Sequence, residues 1–184
     1  MALTPSNMLP LGTKAPDFNL IDTVSDKRFF LKDLRGKHGT VILFICNHCP
    51  YVIYVNSLLV SLALEYQEKG ISFVAISSND VENYPQDAPH LMKKVAEKEG
   101  YPFPYLYDET QEVAKDYDAA CTPDIYLFDD ALKLIYRGQL DDARPGNEKA
   151  ITGADLRFAM DHLLHNQEIS MIQKPSMGCN IKWK

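Results

Sequence analysis

Five consecutive apolar residues, Val41-Ile42-Leu43-Phe44-Ile45, constrain this chain more than any other stretch. A strand that alternates apolar and polar residues keeps one face in water. A strand with no alternation has no wet face, so it belongs inside a sheet covered on both sides, the usual setting of parallel strands. The run passes directly into Cys46-Asn47-His48-Cys49-Pro50. Beyond Pro50, a residue tolerated in a first helical turn, Val52, Val55, Leu59, Leu62 and Tyr66 follow helical spacing and Gly70 closes the helix. Cys46 and Cys49 therefore sit at a strand-to-helix junction. Residues three apart in a first helical turn have side-chain bases about 5 to 6 Å apart, which a disulfide spans after small adjustments. Such a pair opens and closes without refolding the chain.

Residues 41–64 are long and apolar enough to imitate a membrane span. Asn47, His48, Pro50 and Asn56 fall inside that window, and Pro50 divides it into a strand and a helix. The sequence is read as soluble, with no membrane partner.

Strands and helices alternate along the rest of the chain. Residues 18–21 and 29–31 form an N-terminal β-hairpin around a polar turn, and strands follow at 71–77, 103–107, 125–128 and 134–137. Helical spacing marks 88–99, 109–117 and 154–165. This order predicts an α/β fold with a central mixed sheet, helices on both faces and an antiparallel edge. Residues 1–168 are expected to form one domain, with the irregular tail 169–184, which carries Cys179 and the lone Trp183, packed on it.

Composition narrows the function. A chain of 184 residues with 46% hydrophobic and 24% charged residues has the makings of one ordinary core. Its net charge of -6 opposes phosphate backbones, so nucleic acid is not expected as a partner. The four cysteines, Cys46, Cys49, Cys121 and Cys179, are too few and too scattered for a secreted disulfide framework. Residues 1–12 contain no Lys or Arg and no apolar core. Together these features predict a cytoplasmic protein with a solvent-facing, mostly reduced thiol pair.

The junction Cys-Asn-His-Cys-Pro at 46–50, followed much later by Cys121-Thr122-Pro123-Asp124 before a strand, resembles the thioredoxin-like fold. The segment Gly12-Thr13-Lys14-Ala15-Pro16-Asp17-Phe18 and the inserted α/β unit are similar to its redoxin branch, which includes alkyl hydroperoxide reductase, thiol-specific antioxidant and TlpA-like proteins. The tail 174–183 resembles that of a bacterial cytoplasmic subgroup of the same branch. The resemblance implies a dithiol facing a cis-proline, here Pro123, beside which a substrate chain pairs as an added strand. Thr122, Asn47 and Pro50 are then substrate-binding residues. It also implies disulfide substrates, an electron donor that is a reductase or a low-molecular-weight thiol, and no bound cofactor. A homodimer is compatible with it.

Two departures from thioredoxin stand out: Ile45 replaces Trp and His48 replaces Pro. Cys46 at a helix N-terminus favours the thiolate, and a His48 that donates a hydrogen bond would push the same way. Cys46 is thus expected as nucleophile, Cys49 as resolving thiol and His48 as tuning residue, with a potential above that of thioredoxin. Asp80 is assigned to a turn, His90, His162 and His165 to the surface, and Arg137 to a strand end without chemistry. Cys121 and Cys179 are either buried apolar residues or accessory thiols. Two alternatives stay open. One is a thiol peroxidase using Cys46, although Leu43 stands where that signature requires Thr or Ser. The other is a non-catalytic metal-binding or redox-sensing module, although a second local ligand pair is lacking.

Overall fold

The apolar run lies mid-sheet because each of its faces has a core of its own to enter. The structure, a computed structural model, describes residues 3–170 and 172–184. In chain order its elements are β1 (Leu3–Pro5), β2 (Asn19–Asp22), β3 (Arg28–Phe30), β4 (Gly39–Phe44), α1 (Pro50–Gln67), β5 (Ile71–Ser77), α2 (Pro89–Glu99) and β6 (Tyr105–Tyr107). They continue with α3 (Glu112–Asp116), β7 (Cys121–Thr122), β8 (Asp124–Asp129), β9 (Leu134–Arg137), α4 (Ala154–Leu164) and β10 (Met177–Asn180). Seven strands form one mixed sheet in the order β3-β2-β6-β5-β4-β8-β9. β4 runs parallel to β5, with Val41 opposite Phe73, and antiparallel to β8, with Ile42 opposite Tyr126.

Side chains of a strand alternate between faces, and β4 shows the result. Val41 and Leu43 enter a core shared with α1, α2 and α4 through Leu59, Met92 and Leu156. Ile42 and Phe44 enter the opposite core with Val113 and Ala114 of α3, Tyr117 just after it and Phe18 of the N-terminal segment. Burying each such side chain contributes about 1.5 to 3 kcal/mol. A polar residue at any of these positions has nowhere to go. Among the described residues no helix is long and apolar enough to cross a membrane.

Several boundaries differ from the sequence expectation for local reasons. α3 begins at Glu112 rather than 109, because Gln111 adopts a left-handed backbone (φ 64°) after a turn closed onto Asp108. The buried carboxylate of Asp108 accepts Ala114 N–H at 2.9 Å and the Ser78 hydroxyl at 2.8 Å, which fixes that start. β6 starts at Tyr105, beyond Pro104.

The tail departs most from its irregular reading. β10 lies between β1 and β7 in a separate antiparallel sheet of three strands, with Cys179 opposite both Leu3 and Thr122. Arg137 is also more than a strand end. Its fully buried guanidinium bonds Asp118 O at 2.7 Å and Asp124 Oδ2 at 3.3 Å, and lies 4.5 Å from the centre of the Tyr126 ring. Burial raises the Asp124 carboxyl to about 6, against the opposing pull of Arg137.

Candidate active site

β4 delivers the chain to the junction, and the hydrogen bond from Ile45 N–H to Ile76 O carries the sheet one residue past its end. Asn47 and His48 then turn the backbone, Cys49 serves as N-cap of α1, and the exposed Pro50 opens the helix. Cys49 O receives Val52 N–H and Ile53 N–H, both at 3.0 Å. Facing this junction is the segment before β8, in which the Thr122–Pro123 peptide is cis. Cys46 Sγ lies 3.5 Å from Thr122 Oγ1, and Cys49 Sγ lies 3.1 Å from Thr122 O. Pro123 is buried and lines a small groove with Tyr51, Tyr54 and Met177.

The two sulfurs share one proton. The hydrogen bond from the Cys46 thiol holds Cys49 down to about 4 against burial, helped by the Cys179 thiol, the Thr122 hydroxyl and Val52 N–H. The same Cys46–Cys49 bond, then burial, then the Asp87 carboxylate raise Cys46 well above the ordinary thiol range. The pair thus holds one thiolate charge between its two sulfurs, and Cys49 Sγ also has Thr122 O within reach as an acceptor. A second arrangement of that proton is also provided for. When it moves to Cys49, the Cys49 thiol donates to Thr122 O, and the Thr122 hydroxyl donates to the Cys46 thiolate.

Asp87 is the residue that the sequence did not disclose. It comes from a 3-10 turn, Pro85–Asp87, and is fully buried. Its Oδ1 accepts Asn47 N–H at 2.8 Å, and its Oδ2 takes the Asn79 amide at 2.8 Å and His48 Nδ1 at 2.7 Å. A carboxylate already accepting on both oxygens makes His48 Nδ1 the donor. That nitrogen is 4.0 Å from Cys46 Sγ, so its proton is directed to Asp87 and not to the thiol. The His48 ring stacks on Tyr84 at 5.7 Å, and Lys182 from the tail lies 5.6 Å from the centre of the Tyr84 ring. Lys182 N–H in turn bonds Asn79 Oδ1 at 2.8 Å. Among the described residues, Cys46, His48 and Asp87 hold ligand atoms within 4.8 Å of one another. The hydrogen bonds that occupy Asp87 favour its holding of His48 over a share in a cation.

Asn47 is half-buried and anchored, its amide donating to Gln86 O at 2.9 Å and its carbonyl accepting the Tyr105 hydroxyl at 3.2 Å. Both active-site sulfurs are buried, Cys46 at 2% exposure, where a solvent-facing pair was expected. The backbone of Thr122 is not open to an added strand as expected, because β10 of the same chain already pairs with β7 there. Cys121 and Thr122 are adjacent in β7 and point to opposite faces. The Cys121 thiol donates to Pro123 O at 3.6 Å, and burial above all pushes it far up. Cys179 lies within hydrogen-bond reach of Cys49. Asp80 takes Glu82 N–H and the Asn83 amide into a turn, as assigned. A separate cleft of about 440 Å³ between Phe18, Tyr107 and Val113 contains no thiol.

A sequence model of the AhpC/TSA family matches residues 11–137. The thiol-disulfide oxidoreductase ResA of Geobacillus thermodenitrificans (strain NG80-2) is 29% identical over 131 residues, 68% of this chain and 67% of that protein. The crystal structure of an uncharacterized conserved protein from Geobacillus kaustophilus superposes with a TM-score of 0.98 at 58% identity, covering 100% of this chain and 97% of that one. A hypothetical protein from Sinorhizobium meliloti 1021 superposes with a TM-score of 0.96 at 44% identity, covering 98% of both chains.

Proposed function

Because the chain belongs to the AhpC/TSA family, we propose that it is a thiol-disulfide oxidoreductase whose electrons pass through Cys46 and Cys49. The observation that carries this is the placing of both sulfurs at the start of α1 against Thr122 and the cis Pro123, and the thiolate that such a pair supports is the nucleophile in disulfide exchange. The shared proton moves to Cys49, and the Cys46 thiolate attacks a disulfide of the substrate. One substrate sulfur leaves as thiolate and the other stays bonded to Cys46. Cys49 gives its proton to that departing thiolate and attacks Cys46 Sγ, closing the Cys46–Cys49 disulfide and releasing the second substrate sulfur as a thiolate. Two electrons have passed to the substrate, and a reductase or small thiol must return them.

Cys46 takes the attacking role because it adjoins the half-buried Asn47 and His48, whereas Cys49 is enclosed by the start of α1, Thr122 and Cys179. His48 is held by Asp87 and shapes the approach. Protein or small-molecule disulfides are the substrates, and the cytoplasm is the compartment, which cell fractionation tests. A thiol peroxidase has less support, since the residue three before Cys46 is Leu43, an apolar side chain packed in the core. The test of the activity is insulin reduction with dithiothreitol as donor. The wild-type protein should show a measurable rate and Cys46→Ser should lose it; a rate that survives in Cys46→Ser defeats the assignment.

A further inference from the structure

We propose that Cys179 is a third redox thiol that exchanges with the Cys46–Cys49 disulfide to give Cys49–Cys179, and this rests on the dithiol chemistry proposed above. The placement of Cys179 is tightly determined. β10 is paired on both edges, by Leu3 of β1 and by Thr122 of β7. Gly178 is pressed so closely on β7 that a Cβ there would lie 2.0 Å from Thr122 O. On one side of β10, Ser176 N–H bonds the Ser6 hydroxyl at 3.0 Å and the Ser176 hydroxyl donates to Gly138 O at 2.8 Å. On the other, Lys182 N–H is fixed to Asn79. The strand is built to hold its thiol in one place.

That place is beside Cys49. Both residues are buried in the same core, Cys179 stands opposite Thr122, and Cys49 Sγ lies 3.1 Å from the Thr122 carbonyl oxygen. Cys49 thus has both Cys46 and Cys179 as neighbours. Burial, then the bond to Cys49, push Cys179 up to about 12, so in the reduced protein it keeps its proton. Once Cys49 enters a disulfide it has no charge left to solvate. Cys179 then attacks Cys49 Sγ: the Cys49–Cys179 bond forms, the Cys46–Cys49 bond breaks, and Cys46 departs as the thiolate that takes the proton Cys179 gives up. No electrons are gained or lost. The exchange withdraws the disulfide from the His48 face to the space between α1 and β10, where a released product thiol cannot attack it, and it frees Cys46.

The test is to oxidise the full chain with diamide, quench in acid, alkylate the free thiols and map the disulfide peptides. In Cys46→Ser, and in Cys46→Ala should the serine fail to fold, the expected product is a Cys49–Cys179 peptide with Cys121 alkylated. In wild type the same peptide should make up at least about a tenth of the disulfide, accompanied by alkylated Cys46, and Cys179→Ala should abolish it. Absence of the peptide from either the wild type or the folded Cys46 variant overturns the proposal, as does a Cys49–Cys121 link in its place. Insulin reduction by the wild type separates the two ideas. Activity without the Cys49–Cys179 peptide removes Cys179 alone, and the peptide without activity removes the oxidoreductase assignment and leaves the exchange standing.

Discussion

At the level of single residues, the thiol pair was legible because everything that defines it is local: two cysteines three apart, an apolar strand before them and a proline after. Asp87 was not legible. It stands 39 residues from His48, and no spacing rule connects a 3-10 turn to a helix start. Yet it bears on the chemistry, because it accepts the His48 Nδ1–H bond and sets a negative charge near Cys46. The wild-type potential is expected above about -270 mV, the thioredoxin figure, since the hydrogen bonds to the shared thiolate stabilise the dithiol. Replacing Asp87 with Asn removes a charge that opposes a Cys46 thiolate. The reduced form gains stability, and the potential should rise further, by about 30 mV if the gain is near 1.4 kcal/mol. Equilibration with glutathione measures both values, and a fall in Asp87→Asn would contradict the assigned role of the carboxylate.

At the level of elements, periodicity exposed whatever is long enough to have a period. α1 and β5 lie where their apolar spacing put them, and α4 ends within a residue of expectation. β1, β7 and β10 escaped because each has only two to four residues and earns its pairing from distant partners. Met177-Gly178-Cys179-Asn180 has no strand pattern, and its glycine reads as a breaker until Thr122 O is seen pressed against it. Gly178→Ala should lift β10 from β7. Overpacking of this kind costs about 1 to 3 kcal/mol, readable as a lower midpoint in urea, together with faster alkylation of Cys49 and Cys179. An unchanged midpoint would mean that β10 is not held as described.

For the molecule as a whole, the layered α/β plan was readable from the alternation of strands and helices, and the two cores follow from β4 alone. The buried Arg137–Asp124 pair was not readable, because Arg137 ends its strand like any surface arginine and only the packing of β8 against β9 encloses it. The thiols give the folded protein a distinctive dependence on pH. Cys49 is lowered to about 4, so its contribution to stability is fully present above the unfolded thiol value, about 8.5, and is lost as pH falls toward 4. Cys46 is raised, so its contribution is present below about 8.5 and is lost as pH rises beyond that value. The melting temperature of the reduced protein, relative to the oxidised one, should therefore climb from pH 5 to a maximum near pH 8.5 and then decline. Taking the difference removes the contribution of Asp124, which is common to both forms, is present below about 3.8 and is lost as pH rises through about 6. A difference that stays flat across this range would show that the pair does not share its proton.

The pairing of β10 with β7 also orders events in time. Cys179 follows Cys49 by roughly 130 residues, and at about 5 to 20 residues per second the ribosome needs roughly 7 to 26 s to make that interval. Throughout it the Cys46 and Cys49 thiols exist without the strand that encloses them. The nascent chain thus carries an open dithiol long before it carries a finished site, and the arrival of β10 is what ends that exposure.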